Sequence, residues 1–170
     1  MDLEPHLPEQ DMNGDPEIMR RAIKLAWNAA MEHQSGGPFG CVIMRGDQIV
    51  AEGWNEVLES GDPTAHAEVV AIRKACAALG THDLSGCTVY TTGEPCPMCY
   101  GACWWARVDH IFFASNHDDA HDFGSFDDRP ILEALRQPAE RRPLGATELC
   151  REEMLEVWRA FAALPDRPHY

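Results

Sequence analysis

The stretch CTVYTTGEPCPMC, residues 87–99, reads as a strand that runs straight into a helix. Residues 87–92 alternate in the manner of a strand. Pro95-Cys96-Pro97 then opens a helix reaching about Arg107, with proline suited to a first helical position. Residues 110–115 are apolar and rich in aromatics, the pattern of a buried strand. Upstream, Asp15-Pro16 starts a helix with Ile18, Ala22, Leu25, Ala26 and Ala29 at helical spacing, stopped at Gly36-Gly37-Pro38. Strands over 41–45 and 48–52 flank Gly46-Asp47, a hairpin signal. A helix over 65–79 ends at Gly80. Downstream come an acidic loop over 116–128, a short helix over 131–136, and an amphipathic helix over 152–164 with Met154, Leu155, Trp158 and Phe161 on one side. Strands followed by helices predict an α/β fold, its sheet covered on both faces. The early hairpin makes that sheet mixed.

The chain has 170 residues, enough for one domain burying about 70% of its unfolded surface. Residues 1–14 read as a separate, flexible polar lead, and 15–170 as the domain. Apolar residues make up 45% and charged residues 25%, which excludes wholesale disorder. No run approaches the roughly 20 apolar residues that span a bilayer, and no signal sequence opens the chain, so a cytoplasmic protein without membrane contact is expected. The formal charge is −14, from 28 acidic and 14 basic residues. A phosphate backbone needs a cationic footprint, and the longest basic runs are Arg20-Arg21 and Arg141-Arg142. The expected partner is a small neutral or weakly charged molecule, not nucleic acid. Seven cysteines, an odd count, argue against a closed disulfide framework.

Two motifs carry the chemistry, each at a helix start: Thr64-Ala65-His66-Ala67-Glu68 and Glu94-Pro95-Cys96-Pro97-Met98-Cys99. Cys96 and Cys99 share a helix face. The N–H groups at a helix N-terminus help keep both sulfurs as thiolates. His66 adds an imidazole, and the three ligands leave a tetrahedral Zn²⁺ one open position where water loses a proton readily. Residues two apart on a helix lie about 200° from one another. His66 and Glu68 can therefore share a site only at the first turn, where Glu68 reaches the water without binding the metal. Its job there is to take the water proton and pass it to the substrate ring, then to the leaving amine. The alternatives are a redox Cys96/Cys99 pair and a closed zinc site with Glu68 as fourth ligand. Cys103 continues the cysteine face but lies about 6 Å further along the axis, so it reads as packing. Cys41, Cys76, Cys87 and Cys150 read as small buried hydrophobes. His117, Asp118, Asp119, His121 and Asp122 read as a solvated acidic loop ahead of a second metal cluster. Of the adjacent Trp104 and Trp105, one is expected in the core and the other at a subunit contact or pocket wall.

The joined pattern H-x-E…P-C-x-x-C is the signature of zinc-dependent deaminases. From about residue 16 to Tyr170 the sequence resembles bacterial guanine deaminases, within the cytidine deaminase-like superfamily. Trp54-Asn55 and residues 62–68 would also suit a bacterial tRNA adenosine deaminase. More specific are Gly36-Gly37-Pro38-Phe39-Gly40, Trp105-Ala106-Arg107, Phe126-Asp127-Asp128, Pro138-Ala139-Glu140 and the terminal tyrosine. The resemblance implies a three-layer α/β/α sandwich around a mixed sheet of about five strands, and one zinc per subunit. It implies hydrolysis of guanine to xanthine and ammonia, with guanosine or another amino heterocycle as rival substrates. A tRNA adenosine deaminase, disfavoured by charge, and a non-catalytic zinc-stabilised interaction protein are the other rivals. Phe39 and His66 would sandwich the purine, Asn55 would hydrogen-bond its polar edge, and Ala67 would belong to the same substrate-binding set. Asp128 would be a second acidic residue, contacting the amino group or helping ammonia leave. Tyr170 would close the pocket, in some members from an exchanged C-terminal segment of a homodimer partner.

Each of these four has a plainer alternative: core packing for Phe39, a turn-forming side chain for Asn55, a helix cap for Asp128, a frayed end for Tyr170. The sequence departs from the family pattern at Gly93, where relatives often carry Cys or Ser. Its acidic loop is about one residue longer, and its N-terminal lead is also longer.

Overall fold

Asp15 opens the first helix as its sequence directs. Its carboxylate accepts from the Glu17 N–H at 2.8 Å, and Pro16 fills the first helical position. The computed structural model describes residues 13–168, which divide into one unit ending at Ser125 and another starting at Phe126. The first twelve residues of the polar lead, and Tyr170, lie outside the described residues.

In the first unit, α1 (Pro16–Trp27) passes into a wider π-helical turn, Asn28–His33, and ends at Gln34 in the left-handed conformation. That is two residues before the glycines expected to stop it. The hairpin forms as read: β1 (Gly40–Arg45) and β2 (Gln48–Trp54) pair antiparallel across Gly46-Asp47. A single turn, α2 (Val57–Ser60), precedes α3 (Ala67–Leu79), which Gly80 terminates in the left-handed region. Then come β3 (Cys87–Gly93), α4 (Pro97–Ala106) and β4 (His110–Ser115). The sheet order is β2-β1-β3-β4, with β3 antiparallel to β1 and parallel to β4. The sheet is mixed, as the hairpin requires, and among the described residues it has four strands instead of about five.

Helices cover both faces, giving three layers. On one face Cys41, Ile43, Cys87 and Val89 pack against Ala67, Ala71 and Ala75 of α3 and Cys103 and Ala106 of α4. On the other, Val42, Met44 and Tyr90 pack against Ala22 of α1. Alternate side chains of one strand thus serve two cores. Ile43, Val42, Val89 and Leu84 are wholly buried, each stabilising the fold by about 1.5–3 kcal/mol relative to exposure.

Small residues bring α3 down onto β2. A Cβ at Gly53 would lie 2.4 Å from the Ala67 carbonyl oxygen and 2.6 Å from the Ala71 nitrogen. Both are backbone atoms, which cannot swing away. Gly53→Ala is therefore expected to destabilise the protein by about 3 kcal/mol, the upper end for overpacking. Urea unfolding measures it, and a loss below about 1 kcal/mol would show that α3 can lift off β2 cheaply.

Four expectations give way in this unit and the next. Residues 110–115 form a strand, but not a buried one: β4 is an edge, with Phe113 48% exposed. Neither Trp104 nor Trp105 enters the core, being 73% and 65% exposed. The acidic loop contains a helix, α5 (His117–Gly124). Asn116 accepts from the Asp119 N–H at 2.9 Å and Asp119 accepts from the Asn116 N–H at 3.0 Å, a reciprocal capping box. Of the cysteines expected to be buried, Cys150 is exposed and Cys76 only half-buried.

The second unit holds α6 (Arg129–Arg136), a 3₁₀ turn (Ala139–Arg141) and α7 (Arg151–Ala162). None of its described residues is buried, as expected of a segment too short to enclose a core. Trp158 meets Phe161 edge-on at 6.3 Å on α7, and Met154, Val157 and Trp158 are largely exposed. No described helix is long and apolar enough to cross a membrane.

Candidate metal centre and active site

The approach to α3 is a sequence of small turns. Asp62 accepts from the Thr64 N–H at 2.8 Å and from its hydroxyl at 2.7 Å, and these bonds hold the Asp62 carboxyl below its ordinary range. The Ala65 N–H donates to the Asp62 carbonyl, and the Glu56 N–H to that of Ala65, both at 3.0 Å. His66 emerges extended as the N-cap of α3. Glu68 follows in the first turn, 6% exposed.

The approach to α4 is held from β4. The Glu94 N–H donates to the Ser115 carbonyl at 2.7 Å, and the Ser115 hydroxyl to that of Thr92 at 2.8 Å. Cys96 is the N-cap of α4, its sulfur accepting from the Cys99 N–H at 3.5 Å, and Pro97 is the first helical residue. Both motifs thus lie at helix N-termini, as their spacing indicates.

The two termini converge. His66 Nδ1 lies 3.6 Å from Cys96 Sγ and 3.5 Å from Cys99 Sγ. Among the described residues these three make a group whose ligand atoms all fall within 4.8 Å of one another. Zinc bonds of about 2.3 Å to sulfur and 2.0–2.1 Å to nitrogen, set tetrahedrally, would separate N from S by about 3.6 Å. The donor set and its spacing fit zinc. Cys103 stands outside the group, and burial pushes its thiol up to about 12, as a packing cysteine's should be. The Cys96 thiol drops to about 4, chiefly because its sulfur accepts from Cys99, while Cys99 goes up as the donor of that bond. A bound metal would hold both sulfurs as thiolates.

Glu68 Oε2 is 3.3 Å from Cys99 Sγ, beside the ligands without completing their group. Burial raises its carboxyl above the ordinary range. A buried acid next to three ligands can exchange a proton with whatever occupies the remaining coordination position. A redox disulfide leaves both the adjacent histidine and this acid without a role.

Asn55, Phe39 and Ala67 lie on the segments next to these ligands. Gly53 abuts Ala67, and Glu56 bonds Ala65, so Asn55 runs alongside the segment that carries His66. Asn55 is 5% exposed. Its Oδ1 accepts from the Val57 N–H at 3.2 Å, so the turn-forming alternative holds for that atom. Its Nδ2 finds no acceptor among the described residues. The Ser35 hydroxyl donates to the Asn55 carbonyl at 2.8 Å, and a Cβ at Gly36 would fall 1.9 Å from Asn55 Oδ1. Ser35, 1% exposed, thus fixes Asn55 from behind. Sequence reading missed it, since a serine in a Gly-rich turn carries no signal of its own. Phe39 is half-buried against the α3–α4 core, and its carbonyl accepts from the Asn55 N–H at 3.0 Å. Ala67 is wholly buried at the first helical position, so its N–H stands outside the helix's own ladder.

The family model for the cytidine and deoxycytidylate deaminase zinc-binding region matches residues 12–115. This chain belongs to that family. The deaminase is 47% identical over 148 residues to the guanine deaminase of Bacillus subtilis, covering 85% of this chain and 94% of that one. The solved structure of guanine deaminase from Bacillus subtilis superposes with a TM-score of 0.87 at 42% identity, over 93% of this chain and 99% of that one. A tRNA-specific adenosine deaminase of Bacillus subtilis is 40% identical over 104 residues, 61% of this chain and 63% of that one. The deaminase keeps Asp128 in its second unit, at the N-cap of α6. The Asp128 carbonyl accepts from the Ile131 N–H at 2.9 Å, but its carboxylate makes no cap bond, so capping does not account for that side chain.

Proposed function

We propose that this zinc-dependent deaminase hydrolyses guanine, replacing the exocyclic amine with a carbonyl oxygen and releasing xanthine and ammonia. The observation that carries the reading is Glu68 Oε2, 3.3 Å from Cys99 Sγ, buried beside a three-ligand group. A structural zinc site needs no such acid. Guanine is favoured by the 47% identity to a guanine deaminase spanning nearly that whole relative. The net charge of −14 speaks against a polyanionic tRNA substrate.

His66, Cys96 and Cys99 would hold the zinc, which would supply a Lewis acid that makes water easier to deprotonate. The Glu68 carboxylate takes one proton from the attacking water and gives it to a ring nitrogen, then moves the proton remaining on that oxygen to the departing amine. Burial raises this carboxyl above its ordinary range, which suits a group that must both accept a proton and return it. Phe39 and the His66 ring flank the purine. Asn55 donates from Nδ2 to its polar edge, Oδ1 being engaged by Val57. Ala67 contributes its N–H at the helix end. The family resemblance alone would give Asp128 a role at the amino group and Tyr170 one in closing the pocket.

Met154, Val157 and Trp158 of α7 are exposed, which supports a homodimer exchanging C-terminal segments. Seven free cysteines suit a reducing cytoplasm.

Purified zinc-loaded protein should release ammonia fastest from guanine in a panel with guanosine, adenine and cytosine. Faster turnover of guanosine would reassign the substrate to the nucleoside. No turnover of guanine alongside deamination of a tRNA anticodon stem would transfer the reading to the tRNA enzymes.

A further inference from the structure

Gly93 is a glycine that its backbone does not require. It sits buried at the end of β3, paired with Ser115 of β4, and is not among the glycines with positive φ. Any residue can adopt such a strand conformation. What glycine provides here is space. A Cβ at this position would lie 3.2 Å from Cε1 and 3.3 Å from Cδ1 of the Phe39 ring, inside ordinary carbon contact.

The Phe39 backbone cannot yield to relieve that contact. The Phe39 N–H donates to the Gly37 carbonyl at 2.8 Å, and its carbonyl accepts from the Asn55 N–H at 3.0 Å. The next residue, Gly40, donates its N–H to Thr92 Oγ1 at 3.1 Å. Gly40 is itself wedged under α1, where a Cβ would stand 2.2 Å from the Ala22 carbonyl oxygen. With the main chain tied on both sides, any group added at position 93 displaces the ring alone.

We propose that Gly93 is a positioning residue for substrate: its missing side chain lets the Phe39 ring lie back against β3, and so sets the width of the slot that receives the heterocycle. This rests on the reading that Phe39 stacks on the substrate. The Gly93 Cα touches no reacting atom. It acts through Phe39, and a slot bounded by a stacking ring is sensitive to a few tenths of an ångström.

The test is a double-mutant cycle on zinc-loaded protein, using Gly93→Ala, Phe39→Leu and the pair. Gly93→Ala should raise KM for guanine about 3- to 10-fold with a smaller change in kcat, as a displacement of tenths of an ångström implies. Zinc content should stay at the wild-type level. In the Phe39→Leu background, which removes the ring the new methyl would strike, Gly93→Ala should add little. Gly93→Ser, with a larger group, should exceed Gly93→Ala.

Equal effects of Gly93→Ala with and without Phe39 would overturn the proposal, as would a lowered Tm with KM unchanged. Should Gly93→Ala fail to fold, KM of the double variant against Phe39→Leu still decides the matter, since a persisting effect there cannot pass through the ring. Failure of the substrate reading looks different: wild-type protein would not turn over guanine, and the cycle would be run on the heterocycle it does deaminate.

Discussion

Glu68→Gln is expected to lower turnover by about a thousandfold or more while leaving zinc content unchanged, the range of a lost general acid–base. Glutamine has the same shape and can accept at Oε1, but it cannot take a proton from water and return it. Glu68 lies in the first turn of α3, where His66 caps the helix and turns its ring toward the sulfurs. That arrangement keeps the carboxylate beside the metal ligands and outside their group. Removing its charge therefore should not remove a ligand. Ammonia release and metal content, measured on the same sample, check both halves. Loss of zinc with loss of turnover would make Glu68 a fourth ligand and the site a closed structural one. Retention of turnover within about tenfold would place the proton relay on another residue.

The parts of this site that the sequence made legible share one property: their signals are local. Asp15-Pro16, Cys96-Pro97 and Gly80 each announce a helix end through the chemistry of one turn, and each end lies where that chemistry puts it. Convergence of His66 with Cys96 and Cys99 was legible because both motifs open helices at the end of the same sheet. Burial was not legible. Residues 97–106 are apolar on every side, so nothing in the order of residues tells which face meets the sheet. Cys99 and Cys103 turned inward, and Trp104 and Trp105 did not. The apolar content of 110–115 suggests a buried strand. Its place at the edge follows from the order β2-β1-β3-β4, which depends on pairings distant in sequence. The helix at 117–124 was hidden because Asn116 and Asp119 form a capping box in residues that, by composition, look like a charged loop. Asn55 illustrates a finer limit. Turn former and substrate donor read as alternatives in the sequence, whereas the two amide atoms divide: Oδ1 goes to the turn, and Nδ2 has no acceptor among the described residues.

Cys99→Ala and Cys103→Ala should separate ligand from packing within one helix. Both sulfurs are buried on α4, Cys99 at 0% and Cys103 at 1% exposure, and they are one turn apart. By burial alone the two substitutions look alike. The ligand geometry distinguishes them: Cys99 Sγ is 3.5 Å from His66 Nδ1, whereas Cys103 packs among Cys41, Ile43 and Ala71. Cys99→Ala leaves one nitrogen and one sulfur to hold the ion. Bound zinc in small protein sites is worth about 10–16 kcal/mol at neutral pH, so losing one of three ligands should cost several kcal/mol and leave purified protein well below one zinc per chain. Turnover should vanish with the metal. Because zinc stabilises only the folded state that assembles its ligands, added zinc should raise the Tm of wild type and not that of Cys99→Ala. Cys103→Ala should lose about 1 kcal/mol to a small cavity and keep both its zinc and most of its activity. Metal analysis and melting with and without added zinc decide the pair. A Cys103→Ala protein that loses its zinc would move the third ligand one turn down α4, and one open coordination position with it.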